Sequence, residues 1–79
     1  MWFPMVKCDI LLDNIDKIAD FVKVVSKIEE DVDLGSGSHI IDAHSLIGIF
    51  ILDLSKVATL TIHTDDESVL YKFNEWRVD

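Results

Sequence analysis

The chain is poor in residues that cross-link or break a fold, and poor in positive charge. Its 79 residues include one cysteine, one proline and three glycines, with seven Lys and Arg against 15 Asp and Glu, for a formal net charge of −8. A lone Cys8 excludes an internal disulfide, which fits a reducing cytoplasm. Its place in an alternating apolar run predicts a buried thiol rather than a reactive one. Scarce basic residues exclude nucleic acid and anionic membrane as main partners, because both need a basic patch. The acidic balance suits a partner with a basic surface, or simply solvates the chain. The longest uninterrupted apolar run, Leu46 to Leu52, falls far short of the roughly 20 residues of a membrane span. Met1-Trp2-Phe3-Pro4-Met5 is too short for a signal core and lacks a basic lead. A soluble, unexported, cytoplasmic protein is therefore expected. No repeat or low-complexity tract divides the chain, so a single domain over residues 1–79 is expected. What is abundant is apolar: 49% of residues are hydrophobic, enough for a dense small core and against disorder.

Along the chain, Val6, Cys8, Ile10 and Leu12 alternate with polar Lys7 and Asp9, the pattern of a half-buried strand, with Pro4 suited to its start. Asp13-Asn14 offers helix caps. Ile15, Ile18, Ala19, Val22, Val25 and Ile28 then recur at spacings of three and four, predicting an amphipathic helix of about four turns. Asp16 and Asp20 early and Lys23 and Lys27 late complement the helix dipole and predict ion pairs along a solvated face. Val32 and Leu34 alternate with Asp31 and Asp33 in a second strand. Gly35-Ser36-Gly37-Ser38 reads as a hairpin turn, with His39 to Ala43 returning. It is not a phosphate-binding loop, since no lysine follows it and no helix opens from it.

Ser45 caps a short helix to about Leu52 that is apolar nearly all round. Gly48 in its interior predicts close packing against a neighbour, because glycine there costs about 1 kcal/mol relative to alanine. Val57 to Thr64 alternates as a fourth strand. Thr64-Asp65-Asp66-Glu67 matches a capping box before a final stripe of Val69, Leu70, Phe73 and Trp76. The order β-α-β-β-α-β-α predicts an α+β open-faced sandwich, a four-stranded antiparallel sheet with three helices on one face.

This order, the length, and two collinear blocks, Ala19-Asp20-Phe21-Val22-Lys23 and Ser45-Leu46-Ile47-Gly48-Ile49-Phe50-Ile51-Leu52, resemble HPr, the small phosphocarrier of the bacterial sugar phosphotransferase system. The resemblance runs over nearly the whole chain, with Val57 to Thr64 similar to the family's last strand and a looser fit in the first. It implies the HPr-like fold, no cofactor, protein partners, and a face formed by the second helix and the start of the first. HPr carries phosphate on a histidine at the start of its first helix, beside an arginine and a proline. Aligned through Phe21, those positions here hold Asn14, Asp16 and Lys17. Asn14 has no nucleophilic nitrogen, and the Asp16 carboxylate would repel a phosphoryl group.

The resemblance therefore implies a diverged relative without phosphocarrier chemistry and not an enzyme: a protein-protein interaction or regulatory module. Its implied partner surface is Ile15, Ala19, Leu46, Ile47 and Phe50. A short helix cannot bury its whole circumference in so small a chain, so some of these should be exposed and could also support a homodimer through the second helix. Cover by Trp2-Phe3 or Trp76 is the competing expectation. The family's second site, a serine that an ATP-dependent kinase phosphorylates in some bacteria, falls on Ser45. There a phosphate would meet free helix amides, though serine is also among the commonest plain N-caps. The catabolite-repression HPr-like proteins share this combination of missing histidine and kept serine. An active phosphocarrier is the remaining alternative.

Among other residues, His44 adjoins Ser45, but neighbours on an extended segment point apart and no third group is visible to orient a base. His39 and His63 are expected on the polar sheet face with Asp31 and Asp33, solvated and without a ligand spacing for metal.

Overall fold

The computed structural model describes residues 4–79, so the expected end-packing by Trp2 and Phe3 lies outside the described residues. The elements run β1 (Val6–Ile10), α1 (Ile15–Val25), β2 (Val32–Ser36), β3 (His39–Asp42), α2 (Leu46–Ile51), β4 (Ala58–Ile62) and a C-terminal 3₁₀ helix (Glu67–Trp76). The four strands form one antiparallel sheet in the order β1-β4-β2-β3.

Period-two patterning dictates which face is covered. Val6, Cys8 and Ile10 pair with Ile62, Leu60 and Ala58, and Val32 and Leu34 pair with Ile62 and Leu60. All eight are buried. The alternate residues Lys7, Asp9, Thr59, Thr61 and Asp33 share the other, open face. All three helices cover the first face, contributing Ile18, Phe21 and Val25 from α1, Ile49 from α2, and Phe73 and Trp76 from the 3₁₀ helix. Phe21, Phe73 and Trp76 meet at centroid separations of 5.7 to 6.0 Å, within the range where aromatic pairs add to plain burial. The result is the expected α+β open-faced sandwich. Among the described residues, no polar or charged side chain is buried.

Several boundaries differ from expectation. α1 spans 11 residues, about three turns, and its C-cap is Ser26. The expected pairs of Asp16 or Asp20 with Lys23 or Lys27 do not form among the described residues; the ion pair at this helix joins Asp13 to Lys17. Gly35 and Ser36 belong to β2, opposite Ile40 and His39, so the turn is only Gly37-Ser38, with Gly37 at φ 61°. The final helix starts later than the capping box predicts. Asp66 is its cap and accepts from the Ser68 amide, while Thr64 accepts from the Asp66 amide. It is 3₁₀ rather than α: Leu70, Phe73 and Trp76 recur every three residues, and that spacing lines up one face at three residues per turn.

The C-terminal residues return to the sheet. Ile10 bridges Arg77, the Val78 amide donates to Asp9 O at 3.0 Å, and the Asp9 amide donates to the Asp79 carboxylate at 2.9 Å.

Candidate functional site

α1 begins where Asn14 leaves it no choice. Its backbone is extended (φ −147°, ψ 164°), and its Oδ1 accepts from the Lys17 amide at 2.9 Å, satisfying one of the helix's free donors. The Lys17 ammonium reaches back to Asp13 Oδ1 at 2.8 Å, and this hydrogen bond holds the Asp13 carboxyl below the usual carboxylate range. Asn14 and Asp16 are both exposed. Chemically, this helix start presents a neutral amide acceptor and a carboxylate. The amide is no nucleophile for phosphorus, and the Asp16 carboxylate already offsets the helix dipole that a bound anion would otherwise neutralise.

α2 starts similarly. Ser45 is extended (φ −94°, ψ 108°), and its Oγ accepts from the Gly48 amide at 3.2 Å. The Ser45 amide donates to Asp42 O at 2.9 Å, and the residue is exposed. Gly48 is buried, and a Cβ there would lie 3.3 Å from Ile41 Cβ and 3.4 Å from Ser45. That close approach of α2 to β3 is the neighbour packing the glycine predicts.

With Gly48 and Ile49 turned inward, the rest of α2 faces water. Leu46 is 52% exposed, Ile47 78%, Phe50 57% and Ile51 65%. At α1, Ile15 is 64% exposed and Ala19 is also exposed. All five residues of the expected partner surface are therefore accessible, and the buried Trp76 leaves them so. Ile51, absent from the expected surface, belongs with them. It stands four residues after Ile47, and that i,i+4 spacing was its signal in the sequence.

The histidines are placed differently from expectation. His44 does have orienting groups: its Nε2 donates to Ile28 O at 2.9 Å, and its Nδ1 lies 3.4 Å from Asp42 Oδ1. These contacts commit the ring to the loop after α1 and to β3, while Ser45 Oγ serves the Gly48 amide, so no hydroxyl–imidazole pair is assembled. His39 opposes Ser36, in step with Leu34 and Ile41, and so shares the helix side of the sheet rather than the open face. His63 is on the open face, bonded to Asp33 at 2.8 Å. Among the described residues, Asp31 is reached only through its carbonyl, by the His63 amide. Among the described residues, no three His, Cys, Asp or Glu side chains gather as a metal site.

Cys8 is buried as expected, and burial raises its thiol pKa, so it is a poor nucleophile. On the open face a shallow depression of about 270 Å³ lies among Met5, Lys7, Asp33, Ile40, Thr61 and His63. No described helix is long and apolar enough to cross a membrane.

The chain matches no family model and no curated protein. Among solved structures it is similar to the crystal structure of HPr-C-His from Thermoanaerobacter tengcongensis, with a TM-score of 0.66 and 19% identity, covering 91% of this chain and 88% of that one. At this identity the likeness is one of fold, and the fold is HPr-like.

Proposed function

We propose that this chain is a diverged HPr-like protein that has given up histidine phosphotransfer and acts as a protein-protein interaction or regulatory module related to the sugar phosphotransferase system. One observation carries the reading. The helix start that the HPr resemblance assigns to phosphate chemistry is occupied by Asn14, used as a cap for the Lys17 amide, with Asp16 exposed beside it. A carbonyl oxygen engaged as a cap cannot displace a phosphoryl group from a donor. A carboxylate in the first turn disfavours a second anion there. What the fold keeps accessible is apolar: Ile15, Ala19, Leu46, Ile47 and Phe50 line the face through which the resemblance implies protein contacts. Such a face serves recognition, not catalysis.

A second reading makes Ser45 a kinase target of the catabolite-repression HPr-like type. Its support is an exposed hydroxyl that caps α2 through a single 3.2 Å bond to Gly48 N. Phosphorylation would exchange that bond for a phosphate at the helix start.

Intact mass spectrometry separates these readings. The chain is incubated with the phosphoenolpyruvate-driven enzyme of the phosphotransferase system, and separately with HPr kinase and ATP. No mass gain in the first reaction is expected. An acid-labile phosphate on histidine would overturn the proposal. A stable gain of one phosphate in the second reaction, lost in Ser45→Ala, would establish the regulatory reading.

A further inference from the structure

The hydrogen-bond phase of β3 follows from its turn. Gly37-Ser38 is a two-residue turn, so the pair that closes it, Ser36 and His39, exchanges both of its bonds. Alternation makes Leu34 and Ile41 the next bonded pair, and the Ala43 amide on Val32 O at 2.8 Å continues the same phase. Ile40 and Asp42 fall between, so their backbone N–H and C=O groups point away from β2. Ser45 N takes Asp42 O at 2.9 Å. Among the described residues, the Ile40 N–H, the Ile40 C=O and the Asp42 N–H have no partner. Ile40 thus presents a donor and an acceptor side by side, the spacing that another extended backbone completes.

We infer that the β3 edge takes an extended, basic segment of another protein, paired antiparallel through Ile40 as a fifth strand. The side chains on either face define its chemistry. On the helix side, Ile49 points into the core while Gly48 rests on Ile41 of the edge strand. At about 100° per residue, Ile51 and Ile47 lie on the side of Gly48 away from Ile49, so these exposed residues look out over the edge. The incoming residue opposite Ile41 points to that side and is apolar.

On the open face, Asp33 and Asp42 are direct cross-strand partners, a like-charge pair that opposes pairing. Asp33 is countered by His63 at 2.8 Å. Asp42 is 67% exposed and has only the His44 ring at 3.4 Å. The incoming residue opposite Asp42 shares this face, and a Lys or Arg there relieves the repulsion. In the antiparallel sense the segment reads basic, apolar, then a residue opposite Ile40. A second copy of this chain fits poorly. Its own open edge, His39–Asp42, holds no Lys or Arg, its β1 is engaged at Asp9 and Leu11 by the C-terminal segment, and its net charge of −8 repels.

Two-dimensional NMR of the full chain, titrated with the peptide acetyl-Ser-Lys-Leu-Val-Leu-Thr-amide, tests the inference. Saturable shifts are expected at the Ile40 and Asp42 amides and the Ile51 methyls, half complete at about 1 mM or below. N-methylation of the peptide valine, which removes the N–H facing Ile40 O, should weaken binding about tenfold or more. Ile40→Pro should do the same while leaving the β2 amides in place, because the N–H it deletes faces away from β2. Glu for Lys in the peptide should weaken binding about fivefold, and Asp42→Asn should bring the two peptides close to equal.

No saturable shift at about 5 mM peptide would overturn the inference. So would an N-methylated peptide that binds as well as its parent, shifts confined to α2, or a preference for the Glu peptide. Broadening of the Ile40 and Asp42 amides with protein concentration alone would assign the edge to a second copy and overturn it equally. None of these outcomes involves phosphate, so the edge site and the loss of phosphotransfer proposed above stand or fall by different measurements.

Discussion

At the scale of single residues, two glycines are held by opposite physical needs. Gly37 sits at φ 61° with nothing within 4 Å of a built Cβ, so its constraint is conformational alone. Gly37→Ala should cost about 1 kcal/mol, and Gly37→Asn much less, since asparagine tolerates this region. Gly48 has ordinary helical dihedrals but no room: its Cβ would press on Ile41 Cβ at 3.3 Å, an atom fixed to the β3 backbone. Alanine there gains about 1 kcal/mol of helix propensity and loses about 1–3 kcal/mol to overpacking. A net loss of about 1 kcal/mol is expected in urea unfolding, with Gly48→Val worse. A Gly48→Ala variant more stable than wild type would show that β3 yields.

Asn14 is tested in the same way. Asn14→Ala removes the bond to the Lys17 amide and should cost about 1 kcal/mol, whereas Asn14→Asp keeps an acceptor and should be close to neutral. If both substitutions were silent, the cap would not explain why this residue type stands there.

At the scale of elements, the final helix shows how titration and packing divide. Asp66 caps it, and hydrogen bonds from Ser68 Oγ and the Ser68 amide hold its carboxyl below the usual range. Asp53 is lowered by Ser55 in the same manner. A depressed folded-state pKa stabilises above the unfolded value and is lost as pH falls. This contribution is therefore complete above the ordinary aspartate pKa of about 3.9 and disappears through the lowered folded-state values below it. Asp66→Asn retains an N-cap acceptor but cannot titrate. Its stability difference from wild type, measured in urea at pH 7 and again at pH 3, should shrink toward zero or change sign at the lower pH. A difference constant across that interval would count against the assignment.

Packing dominates the other side of the same helix. Phe73 is fully buried between Phe21 and Trp76, so Phe73→Ala should cost about 3–5 kcal/mol, a large part of a small domain's stability.

These elements were legible in the sequence to different degrees, for physical reasons. β1 and β4 could be read because one face of each meets helices and the other meets water, so polarity alternates strictly. The hairpin turn was read two residues too long because Gly35 and Ser36 are turn formers by type, yet pairing with Ile40 and His39 overrides that preference. Leu70, Phe73 and Trp76 announced a helix but not its kind, since spacings of three serve α and 3₁₀ geometry alike. Of the candidate site, exposure along α2 followed from the shortness of the helix. The partners of His44 could not be read, because Ile28 lies 16 residues away and only the folded loop brings its carbonyl to the ring.

At the scale of the whole molecule, the two edges of the sheet are finished differently, and the difference can be measured. β1 and β3 are the outer strands. An open edge offers unpaired amides and carbonyls to any passing strand. β3 is only four residues long and ends where the Ser45 amide takes Asp42 O. β1 is closed by the C-terminal segment. Trp76 O accepts from Leu11, Val78 donates to Asp9 O, and the Asp79 carboxylate accepts from the Asp9 amide. That last bond, with help from Arg77, holds the Asp79 carboxyl below its ordinary range. The segment therefore replaces a fifth strand on the side where Trp76 must be kept seated in the core.

Removing residues 77–79 leaves Asp9 N and O to water and lets the end of the 3₁₀ helix fray. Two lost bonds at a solvated edge should cost about 1–3 kcal/mol in all. Hydrogen exchange gives the sharper test. In the truncated chain the Asp9 amide should lose its protection, while the Leu60 and Ile62 amides of the central strand β4 keep theirs up to the global unfolding limit. Asp79→Asn, which keeps an acceptor but not the charge, should reproduce part of the Asp9 effect. Asp9 protection unchanged by both variants would mean that the C-terminal segment lies beside β1 without closing it.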